Sequence, residues 1–215
     1  MNKRFITIEG VIGAGKTTLA ELIANYYNAD LILEEVETNP FLSKFYKNRK
    51  EYAFQTQLYF LLSRFKQTQE SKQLNLFKNI VISDYLFHKD WIFAEINLNE
   101  NEFDMYKSIY NLMKSKIPSP DIVIYLQASL DTLLSHIRLR DRSFENNINH
   151  EYLKILIEKY NEYFFKYSDS PLIVINIDKI DFNNSKFDFK YFINEIESDF
   201  NGKKYLSYNL DIEEQ

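Results

Sequence analysis

Apolar positions along this 215-residue chain follow two rhythms. Short continuous apolar runs occur at Phe5-Ile6-Thr7-Ile8, Leu31-Ile32-Leu33, Ile80-Val81-Ile82, Ile122 to Leu126 and Leu172 to Ile175. Runs apolar on both faces are the mark of parallel strands covered by helices on either side. Between them the apolar residues recur with helical spacing. Leu19, Leu22, Ile23 and Tyr26 form one such stripe within Lys16 to Tyr27. Phe54, Leu58, Leu61, Leu62 and Phe65 form another within Asn39 to Leu76, a stretch read as two helices. The pattern returns over Ile92 to Ile117, where Pro118 and Pro120 break it, and again over Leu130 to Leu139, His150 to Tyr167 and Phe189 to Phe200. Strands alternating with helices predict a three-layer α/β fold, here a doubly wound parallel sheet of five strands with its ligand crevice at the strands' carboxyl ends. With no repeat and no Gly-, Pro- or Ser-rich linker, residues 1–201 read as one domain, followed by a polar surface tail over 202–215.

The first strand runs straight into Gly10-Val11-Ile12-Gly13-Ala14-Gly15-Lys16-Thr17-Thr18, and a helix follows. This matches G-x-x-x-x-G-K-[ST] in the strand–loop–helix context that the motif requires. Gly10, Gly13, Ala14 and Gly15 let backbone N–H groups close around phosphate oxygens. Lys16 supplies a mobile cation at the β- and γ-phosphates, the Thr17 hydroxyl a Mg²⁺ ligand, and Thr18 continues the binding segment. The reading is therefore a P-loop protein binding ATP and Mg²⁺. No Asn-Lys-x-Asp guanine motif follows a later strand, which disfavours a GTPase. Asp84, after the third strand, stands where a second metal partner belongs.

Composition narrows the setting. Lys and Arg total 26 against 31 Asp and Glu, a formal charge of −5, which opposes broad nucleic-acid binding. There is no cysteine, hence no disulfide or thiolate chemistry. No apolar stretch approaches the ~20 residues of a membrane helix, and Glu9 with the glycines interrupts the run after Met1-Asn2-Lys3-Arg4. A cytoplasmic protein without membrane or nucleic-acid partners is expected.

Four further segments carry chemistry. They are Glu34-Glu35-Val36-Glu37 after the second strand, the trio Tyr46, Gln57 and Arg64, then Ser83-Asp84-Tyr85 with Asp90, and Arg138-Leu139-Arg140-Asp141-Arg142-Ser143-Phe144-Glu145. In this order, and over about Phe5 to Asp178, they make the chain resemble the deoxyribonucleoside kinases, within them the bacterial deoxyguanosine and deoxyadenosine kinases. The resemblance implies a general base for the sugar 5′-hydroxyl at Glu34, with Glu35 the alternative one residue on. It implies a sugar 3′-hydroxyl contact for Tyr46, paired hydrogen bonds to the base from Gln57, and Arg64 with Asp90 in the base pocket. Asp84 becomes the Mg²⁺ partner. Residues 138–147 become a lid whose Arg140 and Arg142 close on the phosphates, with Glu145 holding the 3′-hydroxyl. Asp178, opening the loop after the fifth strand, falls where the family holds adenine.

Two positions depart from the family. Tyr85 replaces an arginine, as in the bacterial deoxyguanosine kinases, leaving open which cation orients the base, and His136 replaces an earlier lid arginine near Arg138. The implied reaction is ATP-dependent 5′-phosphorylation of a deoxynucleoside by a homodimer, with 39–76 and 92–117 as candidate dimer surfaces. Gln57 suits adenine, cytosine or, turned over, part of guanine, and Tyr85 tilts the reading to purines. The rivals are a thymidylate-like nucleoside monophosphate kinase, disfavoured because Tyr85 stands where an acceptor-phosphate arginine belongs, and a nucleotide-binding module without turnover, which has no use for a base at Glu34.

Overall fold

A computed structural model describes residues 5–74, 80–142, 145, 148–182 and 187–207, with the backbone alone for 71–74. The strands are β1 (Phe5–Gly10), β2 (Asp30–Ile32), β3 (Val81–Ser83), β4 (Ile122–Gln127), β5 (Leu172–Asn176) and β6 (Lys203–Leu206). They form one sheet in the order β2-β3-β1-β4-β5-β6, with every pairing parallel. The helices are α1 (Lys16–Tyr27), α2 (Leu42–Lys47), α3 (Arg49–Leu74), α4 (Lys89–Asn97), α5 (Glu100–Lys114), α6 (Leu130–Arg140), α7 (His150–Lys166) and α8 (Phe189–Glu197).

The apolar runs of β1, β4 and β5 make the core. Ile6, Ile8, Ile122 to Leu126 and Leu172 to Ile175 are all buried. A second cluster gathers Leu61 of α3, Phe87 and Ala94 at α4, and Tyr106 and Tyr110 of α5.

The sheet corrects the expected strand count: it has six strands, not five. The sixth lies in the segment read as tail. Leu172 to Ile175 pair with Lys203 to Leu206 after a turn at Gly202, whose φ of 76° suits glycine. The strand was invisible because it lies at the edge. Of its four residues only Leu206 is buried, so it carries no apolar run, and its lysines are typical edge residues. The Ile92–Ile117 stretch also divides into α4 and α5. Asn99 and Glu102 form a capping box there, Glu102 N–H donating to Asn99 Oδ1 at 3.0 Å and Asn99 N–H to Glu102 Oε2 at 3.1 Å.

β1 sits between β3 and β4, so the chain reverses its direction of travel across the sheet there. Such a switch point opens a crevice at the strand ends. Gly10 ends β1, Glu34 follows β2, Asp84 follows β3, and the lid arginines stand at the end of α6, which follows β4.

Candidate active site

The phosphate loop takes its shape from close packing. A Cβ on Gly10 would lie 2.8 Å from the Leu126 carbonyl oxygen, and one on Gly13 the same distance from that of Leu133. Gly13 and Gly15 have φ of 89° and 77°. Gly15 opens α1 without a side-chain cap, so the first-turn N–H groups face the loop, as an anion site requires. Lys16 Nζ donates to the carbonyls of Gly10 at 2.8 Å and Val11 at 3.2 Å. Burial and then the Lys89 ammonium lower its pKa to about 8, against Glu9, Glu34 and Asp84.

Thr17 and Asp84 join the loop to the end of β3. The Thr17 hydroxyl donates to Asp84 Oδ2 at 2.7 Å, and Asp84 Oδ1 accepts the Glu34 N–H at 2.8 Å. A hydroxyl and a carboxylate are hard oxygen donors of the kind Mg²⁺ takes when substrate phosphates complete its shell. Among the described residues no three His, Cys or acidic side chains gather as a metal cage, so any such ion would rest on this pair.

Glu34 is held by two cations. Arg64 Nη2 pairs with its Oε1, and Lys89 Nζ lies 2.6 Å from its Oε2. Burial alone would raise its pKa, but the two cations outweigh burial and hold it well below the usual carboxylate range. Glu35, one residue on, is exposed. Arg64 also pairs through Nη1 with fully buried Asp90, and its guanidinium lies over the rings of Phe60 and Tyr85 at 4.9 and 5.6 Å. Burial opposes the Arg64 charge, but Asp90 and Glu34 raise its pKa further. Burial raises Asp90 to about 7, against Arg64. Arg64 Nε and Asp90 Oδ2 are buried and without partners among the described residues.

On the lid side, α6 ends at Asp141 in the left-handed conformation, which turns the chain between Arg140 and Arg142. Arg140 Nη2 donates to both Glu145 oxygens at 2.5 and 2.7 Å. Arg142 lies 3.9 Å from Glu145 and 3.6 Å from Glu37. One cavity, about 610 Å³ with its open mouth, is lined by Lys16, Glu34, Tyr46, Gln57, Arg64, Arg140, Arg142 and Glu145, together with Lys89 and apolar residues.

A family model for deoxynucleoside kinases matches residues 6–200. The chain belongs to the deoxynucleoside kinase family. The chain is 42% identical over 191 residues to the deoxyguanosine kinase of Bacillus subtilis, covering 86% of this chain and 92% of that one. It is 34% identical to the deoxyadenosine kinase of Lactobacillus acidophilus, covering 82% and 87%. The structure of deoxyadenosine kinase from M. mycoides with bound dATP superposes with a TM-score of 0.76 at 32% identity, covering 90% of this chain and 98% of that chain.

Two of the expected donor-side residues have their own settings within this kinase. Thr18 is half-buried in the first turn of α1. The Asp178 carboxylate is engaged by α6, accepting from Ser129 N–H at 2.7 Å and the Thr132 hydroxyl at 2.8 Å. Residues 183–186, in the same expected adenine loop, and lid residues 143, 144, 146 and 147 lie outside the described residues. Three residues have contacts at the site that the sequence reading did not assign. His136 Nδ1 bonds the Gly13 carbonyl at 2.8 Å, so this side chain braces the loop. Buried Glu9 accepts from Gly10 N–H at 2.8 Å, Leu86 N–H at 2.7 Å and the Tyr160 hydroxyl at 3.3 Å. Lys89 reaches Glu34. Glu9 left a trace in the sequence as a charge at the end of an apolar strand, and His136 as a departure from the family, whereas Lys89 left none.

Proposed function

We propose that this kinase transfers the γ-phosphoryl group of ATP to the 5′-hydroxyl of a purine deoxynucleoside, deoxyguanosine or deoxyadenosine. The observation that carries this reading is the single cavity joining a phosphate loop, a clamped carboxylate and a buried hydrogen-bonding wall. Gly10, Gly13, Ala14, Gly15, Lys16, Thr17 and Thr18 serve the donor phosphates, and the loop from Asp178 the adenine. Thr17 and Asp84 are the residues that would hold Mg²⁺, and the ion held there would supply charge neutralisation for the donor phosphates. Glu34 accepts the hydrogen bond of the 5′-hydroxyl and takes its proton as the oxygen closes on phosphorus. Clamped by two cations Glu34 is a weak base, which suits a loose transition state in which orientation counts for more than basicity. Arg140 and Arg142 neutralise charge on the moving phosphoryl group. Tyr46 and Glu145 hold the 3′-hydroxyl, and Gln57, Arg64 and Asp90 read the base.

The purine assignment rests on relatives named as deoxyguanosine and deoxyadenosine kinases. The test is kcat/KM with ATP for the four natural deoxynucleosides, with dAMP and dTMP alongside. Deoxyguanosine or deoxyadenosine should lead. A lead for deoxycytidine or thymidine would end the purine assignment, and turnover of a monophosphate would favour the monophosphate-kinase reading.

We further propose a cytoplasmic homodimer whose kinase domain runs through Leu206. No helix among the described residues is long and apolar enough to cross a membrane. Leu62 of α3 and Met105 and Leu112 of α5 are 46%, 59% and 72% exposed on helices that pack together. Light scattering giving a monomer mass would remove the dimer.

A further inference from the structure

The cations around the cavity divide by what they touch. Lys16 is bonded to carbonyls of its own loop, Arg140 to Glu145, and Arg142 stands between Glu145 and Glu37. Arg64 is shared between Asp90 and Glu34. Lys89 is different. It is 4% exposed, and among the described residues its ammonium reaches one acceptor, Glu34 Oε2 at 2.6 Å. Its stem is fixed at both ends. The Lys89 N–H donates to the Leu86 carbonyl at 2.9 Å, Glu9 anchors Leu86 through its N–H, and the ammonium lies over the Phe93 ring at 5.8 Å. Burying an ammonium costs several kcal/mol unless a partner compensates, so an unshared buried lysine at one carboxylate oxygen marks a built contact.

Resting on the proposed role of Glu34 as base, we infer that Lys89 is a positioning residue for phosphoryl transfer: it fixes the Glu34 carboxylate in the orientation that meets the acceptor hydroxyl. The two Glu34 oxygens have different holders. Arg64 ties Oε1 to the base wall through Asp90, whereas Lys89 ties Oε2 to the strand-end segment that Glu9 anchors. The Tyr85 ring, at the position of the family arginine, stacks with Arg64 and leaves this corner to Lys89. Glu34 is faced by Arg64 from α3, Lys89 and Asp90 from α4, Lys16 from the loop, Asp84 after β3, and the phenols of Tyr46, Tyr85 and Tyr160. Removing Lys89 leaves Arg64 as the cation in contact with Glu34, so the carboxyl should titrate at higher pH.

The experiment compares Lys89→Met, Lys89→Gln and Lys89→Arg with the parent, alone and with Glu34→Gln. The readouts are kcat and ¹³C-glutamate NMR of the Glu34 carboxyl, assigned by its absence in Glu34→Gln. Asp90, being aspartate, does not enter that signal. The neutral variants should lose roughly 10- to 100-fold in kcat, on the scale of general-base effects. They should also move the Glu34 titration up by about 1–3 pH units, the size of one lost opposite charge. Lys89→Arg should recover most of both. In the Glu34→Gln background the same changes should cost less than about threefold, since the pair acts as one unit. An unshifted Glu34 titration, or an equal loss in both backgrounds, overturns the inference. If Met does not fold, the Gln variant decides by the same two readouts. If Glu34→Gln itself keeps full kcat, the base reading fails, while the NMR shift still judges the contact.

Discussion

The Thr17 hydroxyl donates to Asp84 Oδ2 at 2.7 Å across 67 residues of chain. The other Asp84 oxygen takes the Glu34 N–H. One buried carboxylate therefore locks the mouth of the phosphate loop to the backbone of the proposed base. Both sides of the reaction are registered against the end of β3, the strand beside β1 in the sheet.

Asp84→Ala removes that junction and half of the proposed Mg²⁺ site. The Mg²⁺ concentration for half-maximal rate should rise about 10- to 100-fold, the usual cost of losing a group that orients or holds a metal. kcat should fall at saturating Mg²⁺ as well, because Glu34 loses its backbone anchor. An unchanged Mg²⁺ titration would remove Asp84 from the metal site.

Lys16 gives a pH signature. Burial and the Lys89 ammonium depress its pKa to about 8, so the free enzyme loses this cation as pH rises through that value. kcat/KM for ATP, which reports the free enzyme, should decline above about pH 8. Bound triphosphate adds negative charge and favours the protonated amine, so the matching limb of kcat should lie at higher pH. Lys89→Met removes a neighbouring positive charge and should move the kcat/KM limb upward. A profile flat to pH 10 would mean that Lys16 is not the titrating group or stays charged throughout.

Much of this was legible in the chain. Strands β1, β4 and β5 are buried on both faces, so their sequence is a plain apolar run, and the phosphate loop has fixed spacing. Gln57 and Arg64 could be put on one face because they are seven residues apart on a helix, whereas the lid was named from the family resemblance. What escaped was set by tertiary context. Lys89 reads as a surface lysine at a helix start, and nothing local says that its ammonium turns inward to Glu34. Asp178 reads as a loop acid, yet its distance from α6 is fixed by the pairing of β4 with β5. β6 carries one buried residue, too little for any periodicity. The split between α4 and α5 was different, because the Asn99–Glu102 spacing was there to be read.

The sixth strand should matter for stability. Leu206 is 7% exposed and closes the core beside Ile175, its register partner. Leu206→Ala should cost about 2 kcal/mol, the low end for a buried leucine because an edge site can relax. In urea this appears as a lower midpoint with the slope unchanged. Truncation after Gly202 should cost more, since it also strips the hydrogen bonds along β5. A shift within about 0.5 kcal/mol, the range for surface substitutions, would show that the strand adds little.

The base wall offers the sharpest test of substrate choice. Gln57 is 3% exposed and lines the cavity two helical turns from Arg64 on α3. Among the described residues no hydrogen bond occupies its carboxamide, so its donor and acceptor are free for a base edge. A neutral hydrogen bond contributes about 0.5–1.5 kcal/mol net, and a buried polar group left unpaired costs about 1–3 kcal/mol. Losing a pair of bonds to a purine should therefore raise KM for the preferred deoxynucleoside roughly 10- to 100-fold. kcat should change little, because the base is bound alike in ground and transition states. Discrimination should shrink with it. A pocket that hydrogen-bonds its substrate rejects analogues strongly, whereas an apolar one of the same shape separates them only weakly. Gln57→Leu keeps most of the volume and removes both polar atoms, and Gln57→Ala adds a cavity. If Leu retains the parent ranking among the four deoxynucleosides, Gln57 does not read the base, and selectivity must lie with Arg64 and Asp90. If both variants raise KM for the purines and flatten the ranking, the carboxamide is the reader.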